Sequence, residues 1–226
     1  MIISHDRKTL FIGVPKNGSQ TARAVLGQFG VDLVGELGRH PTVSDAIRLA
    51  DARFPGETIA PTTIYAFRRE PVERFCSAVE FHKCCLPNSL MQLFPDRLIG
   101  IEPHPRWFET NPGAVAADLR AVIDAVAPVE ILAALPPPPV PGVSLQPRGG
   151  NLSFYRPQSE WLGGTAVTIL PFAEYEAGVR QLVDQFGEDG ASVVIPQINA
   201  AAGLLPVLSI SKAELVRAYY REDLPL

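Results

Sequence analysis

The sequence predicts an α/β fold in which a short, mostly parallel sheet is flanked by helices. Two apolar segments, residues 10–14 and 64–67, have the length and composition of buried strands. Each leads into a segment whose apolar residues recur at helical spacing. Because ligands of open α/β sheets bind beyond the carboxyl ends of the strands, the residues that follow these two strands are the first candidates for a functional site.

Composition narrows the class of protein. The chain has 226 residues, and we expect one domain over residues 1–226 because no linker is evident. A net charge of −4 argues against broad binding to nucleic acid or a membrane surface, so any anion site has to be local. The sequence shows no metal-ligand spacing, leader segment or run of 18 apolar residues. We therefore expect a cytoplasmic protein with neither a metal nor a membrane partner.

The turn after the first strand has the composition of an anion-binding loop. Gly18 can adopt a positive φ or let a ligand approach the backbone, and Ser19 or Thr21 can cap the helix that follows. A helix N-terminus presents N–H groups and positive dipole charge, and Lys16 adds a full charge. The candidate phosphate-binding residues are Pro15, Lys16, Asn17, Gly18, Ser19, Gln20 and Thr21. The alternative is an ordinary strand-to-helix turn that carries a surface lysine.

This turn differs from the common nucleotide-binding loop GxxxxGK[ST]. Gly13 and Gly18 have the right spacing, but Ser19 stands where the lysine belongs, and Lys16 lies inside the loop. A kinase for a small alcohol or a nucleoside, which needs the lysine directly after Gly18, is therefore the less favoured enzyme class.

A histidine lies on the next loop. His40 precedes a helix that Thr42 or Ser44 can cap and that carries apolar residues as far as Phe54. A histidine titrates near neutral pH, which suits a general base. The alternative is a surface histidine without a catalytic role.

The second strand leads into a pair of arginines and a helix that begins at Pro71. Arg69 lies at the carboxyl end of the strand, where a guanidinium suits bidentate recognition of a phosphate. For Arg68 and Arg74 the alternative role is that of surface charges that pair with neighbouring glutamates.

Two motifs carry a resemblance to a known family. The loop PKNGS is similar to the 5′-phosphosulfate loop of sulfotransferases. Residues 67–78, FRREPVERFCSA, resemble the F-x-R-[DE]-P-x-x-R-x-x-S-A segment of carbohydrate sulfotransferases (sulfotransferase family 2), a group that includes chondroitin and dermatan sulfotransferases and bacterial relatives. In that family the arginine and the serine of the segment hold the 3′-phosphate of the cofactor, which implies this role for Arg69 and Ser77. The resemblance also implies a P-loop-like, three-layer domain.

The family resemblance predicts little about the middle region, residues 82–146. It returns in the residues that follow. Residues 154–162 are similar to the family's PQ-x-x-[YW]-L segment, and a strand at 167–170 precedes a helix from about Phe172. The sequence also predicts a helix at about 114–127, an extended polyproline segment at 135–141, a P-x-x-N turn at 196–199, and a capping box at 211–214 that opens the last helix. The closing residues resemble the family's Y-x-x-D.

The resemblance implies an enzyme that transfers the sulfuryl group of 3′-phosphoadenosine 5′-phosphosulfate (PAPS) to a hydroxyl of a carbohydrate or small acceptor and releases 3′-phosphoadenosine 5′-phosphate (PAP). Lys16 and the N–H groups of residues 17–21 would then neutralise the phosphosulfate. Several family members use a histidine base between the two motifs, which implies that role for His40. His82, His104, Glu73 and Glu80 are the alternatives. Gln20 departs from the small hydroxylic residue common at its position. A nucleotide-binding module without activity is the alternative from another class.

Overall fold

The computed structural model describes residues 1–33, 40–56, 61, 63–85, 93–98, 117–135, 154–163, 166–196 and 206–223. The chain divides into two compact units, each built from two separate segments. The first unit comprises Met1–Glu70 and Pro157–Ala202, and the second comprises Pro71–Arg156 and Gly203–Leu226. The assignment of residues 1–226 to one domain stays a prediction.

The first unit contains a five-stranded mixed sheet. Its strands are β1 (Ile2–Ser4), β2 (Thr9–Ile12), β3 (Gly30–Asp32), β4 (Thr63–Arg68) and β5 (Thr168–Pro171), in the order β3-β1-β2-β4-β5. Strands β2, β4 and β5 pair in parallel, whereas β1 is antiparallel to both of its neighbours. The α/β prediction is confirmed, and the sheet is mixed because β1 alone runs against the other strands.

Strand β1 was not predicted, and its direction follows from a tight turn. The Ser4 hydroxyl donates to Asp6 Oδ1 at 2.5 Å and accepts from the Thr9 N–H at 3.0 Å. So short a connection between β1 and β2 permits only antiparallel pairing. Strand β3, which includes Val31 and Asp32, was not predicted either.

The described helices are α1 (Ser19–Leu26), α2 (Val43–Arg53), α3 (Pro71–Cys85), α4 (Ala117–Ala125), α5 (Pro128–Ala134), α6 (Gln158–Leu162), α7 (Tyr175–Gln185) and α8 (Ile210–Tyr219). In the first unit, α1 and α7 pack on the sheet face that carries Phe11 and Phe67. Helices α2 and α6 pack on the opposite face, which carries Ile12 and Ile64. Because side chains alternate along a strand, β1, β2 and β4 each contribute to both cores. The sheet is therefore flanked by helices on its two faces.

Several predicted helix starts agree with the structure. Thr42 is the N-cap of α2, and its hydroxyl accepts from the Asp45 N–H at 3.2 Å. Pro71 is the first residue of α3. The helix expected from Phe172 begins instead with one 3₁₀ turn, Phe172–Glu174, before α7.

The start of the last helix was predicted wrongly. The predicted capping box at 211–214 does not open this helix, because α8 begins at Ile210 and its N-cap is Ser209, whose side chain makes no capping hydrogen bond. The helix predicted at about 114–127 is present as α4, and a separate helix, α5, follows it with Pro128 as its first residue. Residues 136–141 of the polyproline segment and 197–199 of the P-x-x-N turn lie outside the described residues.

The second unit has its own apolar core, which α3 shares with α5 and α8. Arg74 lies within this unit with only 1% of its surface exposed, so the alternative of a surface charge does not hold for it. Its Nη2 donates to the carbonyls of Phe154 and Arg156, at 3.1 and 2.7 Å. The Tyr220 hydroxyl donates to the Tyr155 carbonyl at 2.7 Å. Two side chains distant in sequence therefore hold the backbone of residues 154–156.

Candidate anion-binding site at the sheet edge

Three parallel strands of the first unit end at one edge of the sheet. Ile12 of β2 is in register with Ala66 of β4, and Arg68 of β4 is in register with Pro171 of β5. The loop after β2 (residues 13–18), Arg69 after β4 and the Phe172 turn after β5 consequently leave the sheet in the same direction. This edge is where open α/β sheets bind ligands.

The loop after β2 contains two residues in the left-handed region. Lys16 has a φ of 65° and Gly18 a φ of 72°. Gly18 is the N-cap of α1 and makes no side-chain cap, so the expectation that Ser19 or Thr21 caps this helix is wrong. Ser19 is instead the first helical residue. The first turn of α1 thus has no side-chain cap of its own, an arrangement that favours an anion at the helix N-terminus.

Tyr175 fixes Gly18 from the side of α7. Its hydroxyl donates to the Gly18 carbonyl at 2.6 Å, and a Cβ added to Gly18 would lie 2.5 Å from its ring. Burial raises the pKa of Tyr175 to about 12, although hydrogen bonding with Ala22 and Thr21 acts in the opposite direction. The phenol is therefore neutral at physiological pH and remains a hydrogen-bond donor.

The Arg69 side chain lies between the loop and the turn after β5. Its Nη1 donates to the Lys16 carbonyl at 3.3 Å. Its guanidinium also lies over the Phe172 ring, 4.5 Å from the centroid, a distance at which a cation is attracted to the ring face. The structure thus brings together the two predicted cationic residues, Lys16 and Arg69.

Asn17 is a buried anchor within the loop, with 1% of its surface exposed. Its Nδ2 donates to the Phe67 carbonyl and to Gln158 Oε1, both at 2.6 Å. Its backbone N–H donates to the Val14 carbonyl at 3.3 Å. The side chain of Asn17 therefore serves the protein itself, which sequence analysis did not foresee.

His40 lies beside the start of the same loop. Its Nδ1 is 2.6 Å from the Gly13 carbonyl oxygen, and its ring meets Trp161 of α6 edge to face at 6.2 Å. A carbonyl oxygen only accepts, so Nδ1 carries the hydrogen of this bond, and the lone pair of the neutral ring falls on Nε2. This tautomer places the basic nitrogen on the side of the ring opposite Gly13.

The remaining residues that were predicted as ligands or as alternative bases lie as follows. Ser77 is half-buried in the second turn of α3 and belongs to the second unit. His82, an alternative base, is fully buried in that unit, where its Nδ1 donates to the Ala78 carbonyl and its ring stacks on Tyr155 at 4.8 Å. The other residues considered as bases or loop ligands lie as follows: Glu73 and Gln20 are exposed, Glu80 is half-buried, Pro15 is buried, and His104 lies outside the described residues.

Sequence analysis did not assign a site role to three residues around this edge: Phe172, Tyr175 and Gln158. The PQ segment was a signal for Gln158, because it belongs to the motif set quoted for the family. Tyr175 gave no comparable signal, because its hydroxyl contact depends on the distant Gly18.

Within the described ranges, no group of three or more His, Cys, Asp and Glu side chains is arranged to hold a metal ion. Among the helices in those ranges, none is both long and apolar enough to cross a lipid bilayer. Comparisons of the chain with protein-family models, with curated proteins and with solved structures gave no match.

Proposed function

We propose that this protein is a sulfotransferase that transfers the sulfuryl group of PAPS to a hydroxyl of a carbohydrate or another small acceptor. The observation that supports it most is the contact between Arg69 and the Lys16 carbonyl, at the ends of two adjacent parallel strands. A nucleotide with a phosphosulfate at one end and a 3′-phosphate at the other needs more than one cationic contact. Here the ends of two adjacent strands each supply one cation, since Lys16 lies on the loop after β2 and Arg69 follows β4.

The residues at this edge fit such an anion. The N-terminus of α1 has no side-chain cap and follows a left-handed glycine, so its first-turn N–H groups face the end of the helix. Lys16 adds charge from within the loop, and a guanidinium such as that of Arg69 binds phosphate oxygens in pairs. The role of Ser77 at the 3′-phosphate stays a prediction from the family resemblance.

The chemistry assigns a separate task to each group. When bound, PAPS supplies an activated sulfuryl group, whose sulfur forms a bond to the acceptor oxygen as its bond to the 5′-phosphate oxygen breaks. Lys16 and the first turn of α1 stabilise the negative charge that grows on that phosphate. His40 takes the proton of the acceptor hydroxyl at Nε2, because Nδ1–H is held by Gly13.

Ligand-dependent thermal unfolding tests the cofactor class. PAP, ATP and 5′-AMP are each added to the purified protein, and a ligand at about 100 times its Kd stabilises the fold by roughly 2.7 kcal/mol. We expect PAP to raise the Tm by about 5–10 °C and the other two nucleotides to raise it less. A larger rise with ATP would favour the kinase, and no rise with PAP would contradict the proposal.

Lys16→Ala and Arg69→Ala are expected to weaken PAP binding. Each variant removes a charged partner of a phosphate, and such a bond contributes about 1.5–3 kcal/mol, or roughly 10- to 150-fold in Kd. Titration calorimetry measures the change. Lys8→Ala and Arg48→Ala are matched controls, because both residues are exposed. Equal Kd values for all four variants would show that the anion binds elsewhere.

His40→Ala is expected to keep PAP binding and to lower turnover by roughly 100-fold or more, since it removes the base and leaves the cationic groups in place. Turnover is followed as transfer of labelled sulfate from PAPS to a panel of carbohydrates and small alcohols. A variant with parental turnover would remove His40 from the mechanism, and transfer to any acceptor by the parent protein would exclude a module that only binds nucleotide.

A further inference from the structure

Gln158 is a buried side chain, 2% exposed, whose amide is shared by two parts of the candidate site. Its Oε1 accepts from the Arg69 backbone N–H at 3.0 Å, and its Nε2 donates to the Arg69 carbonyl at 2.8 Å. In a sheet, a neighbouring strand forms the same two hydrogen bonds with the N–H and the carbonyl of a backbone residue. Beyond the last residue of β4, a side chain therefore takes the place of a strand and fixes the backbone from which the Arg69 guanidinium projects.

The same amide also holds the loop after β2. Asn17 Nδ2 donates to Gln158 Oε1 and to the Phe67 carbonyl, each at 2.6 Å. Asn17 lies between Lys16 and Gly18, the two left-handed residues of the loop. A left-handed lysine costs about 1–2 kcal/mol relative to ordinary helical backbone, so this conformation persists only if its surroundings hold it. The buried Asn17 side chain provides such a constraint.

From these contacts we infer that Gln158 and Asn17 are positioning residues, which hold the Lys16 loop and the Arg69 backbone in one fixed arrangement before any ligand binds. Neither side chain has to touch the ligand for this role. The functional meaning of the inference rests on the proposed binding of a nucleotide that carries two anionic groups. A preformed pair of cationic groups binds such a ligand without the loss of conformational freedom that ordering the loop would require.

The position of Gln158 extends this arrangement to the proposed base. Gln158 is the first residue of α6, and the same short helix carries Trp161, whose ring meets His40. One helix thus contacts the loop, the Arg69 backbone and the histidine. A change at Gln158 is therefore expected to affect binding through Lys16 and Arg69, and to affect turnover through His40 as well.

The test compares Gln158→Ala and Asn17→Ala with the parent protein and with Gln181→Ala, an exposed glutamine on α7 that serves as the matched control. Kd for PAP is measured by calorimetry well below the Tm of every variant, so that all are folded. We expect both site variants to bind at least about tenfold more weakly, equivalent to about 1.4 kcal/mol, and Gln181→Ala to bind as the parent does. Parental Kd values in both folded site variants would overturn the inference.

A double-mutant cycle separates positioning from general stability. If Gln158 acts through Arg69, then Arg69→Ala weakens PAP binding less in the Gln158→Ala background than in the parent. A purely structural glutamine would lower the Tm and leave the two effects additive. Additive losses of affinity would therefore also overturn the inference.

Hydrogen exchange measured without ligand tests the positioning role of Gln158 independently of the proposed function. In Gln158→Ala we expect faster exchange in residues 13–19 and 67–70, with unchanged exchange in α2, which does not contact Gln158 through any of these bonds. If the parent protein fails to bind PAP, the proposed function fails, and local loosening of these two segments still supports the positioning role. Unchanged exchange in them would contradict it.

Discussion

Gly18 meets two requirements that no residue with a side chain satisfies together. Its φ of 72° lies in the left-handed region, and the ring of Tyr175 occupies the space where a Cβ would project. The second requirement exists because the Tyr175 hydroxyl binds the Gly18 carbonyl and so draws the ring against the backbone. Position 18 therefore requires glycine both for its left-handed backbone and for the close packing of the Tyr175 ring.

We predict that Gly18→Ala destabilises the protein more than the same change at Gly187. Gly187 has a φ of 87°, and no atom lies within 4 Å of the position that a Cβ would take there, so alanine adds only the backbone penalty of about 1 kcal/mol. At Gly18 the overlap with Tyr175 adds a further penalty of about 1–3 kcal/mol, typical of overpacking. Urea unfolding measures both values, and equal losses would show that Tyr175 moves aside freely.

At the scale of elements, periodicity and caps were predictable, and the pairing of distant segments was not. Strand β4 and helix α3 followed from an apolar run and from Pro71, both of which are local signals. Strand β1 has three residues, too few for a recognisable alternation, and is seen only once it pairs with β2. Lys16 and Arg69 were predicted to share an edge because parallel strands end together, and the structure places them so.

The PQ segment marked Gln158 in the sequence, but the hydrogen bonds of this residue could not be predicted, for the same physical reason. Its hydrogen bonds join residues 17, 69 and 158, and the separation along the chain exceeds any helical or strand period. Polar side chains also follow no periodic pattern in the sequence from which a buried hydrogen-bond partner could be predicted. The position of the candidate site could be predicted, therefore, but not the groups that hold it in shape.

Thr42 and Ser44 provide an element-scale prediction, because the sequence allowed either to cap α2. The structure gives the cap to Thr42, whose hydroxyl accepts from the Asp45 N–H, and leaves Ser44 exposed within the helix. Thr42→Ala is expected to lower the free energy of unfolding by about 1 kcal/mol, and Ser44→Ala to change it by less than about 0.5 kcal/mol. Chemical denaturation of both variants checks the assignment, and a larger loss at Ser44 would reverse it.

At the scale of the whole molecule, both units contain a side chain that donates hydrogen bonds to several backbone carbonyl oxygens. In the second unit Arg74 donates to the backbone of residues 154–156, and Tyr220 donates to the same backbone. In the first unit Arg180 donates to the carbonyls of Gly190 and Val193. An arginine that binds carbonyl oxygens is used in both units, but only Arg74 is fully buried.

We predict that Arg74→Lys destabilises the protein by about 1–3 kcal/mol, since the lysine side chain is shorter and cannot place its ammonium nitrogen where Nη2 donates to both carbonyls, which leaves a buried carbonyl without its donor. Arg180→Lys is the matched control and should lose less, because Arg180 is only half-buried and water can replace its bonds. The free energies of unfolding in urea give the comparison. A greater loss for Arg180→Lys would contradict the importance assigned to burial.

The pairing of β4 with β5 has a consequence for synthesis on the ribosome. Tyr65 pairs with Thr168, so the partner of β4 is translated about a hundred residues later. At 5–20 residues per second this delay is roughly 5–20 s, far longer than the microseconds in which a hairpin forms. Throughout that interval one side of β4 has no strand beside it, and its N–H and C=O groups are open to neighbouring nascent chains. Chaperone supply and translation speed should therefore govern how much of this protein reaches its folded state.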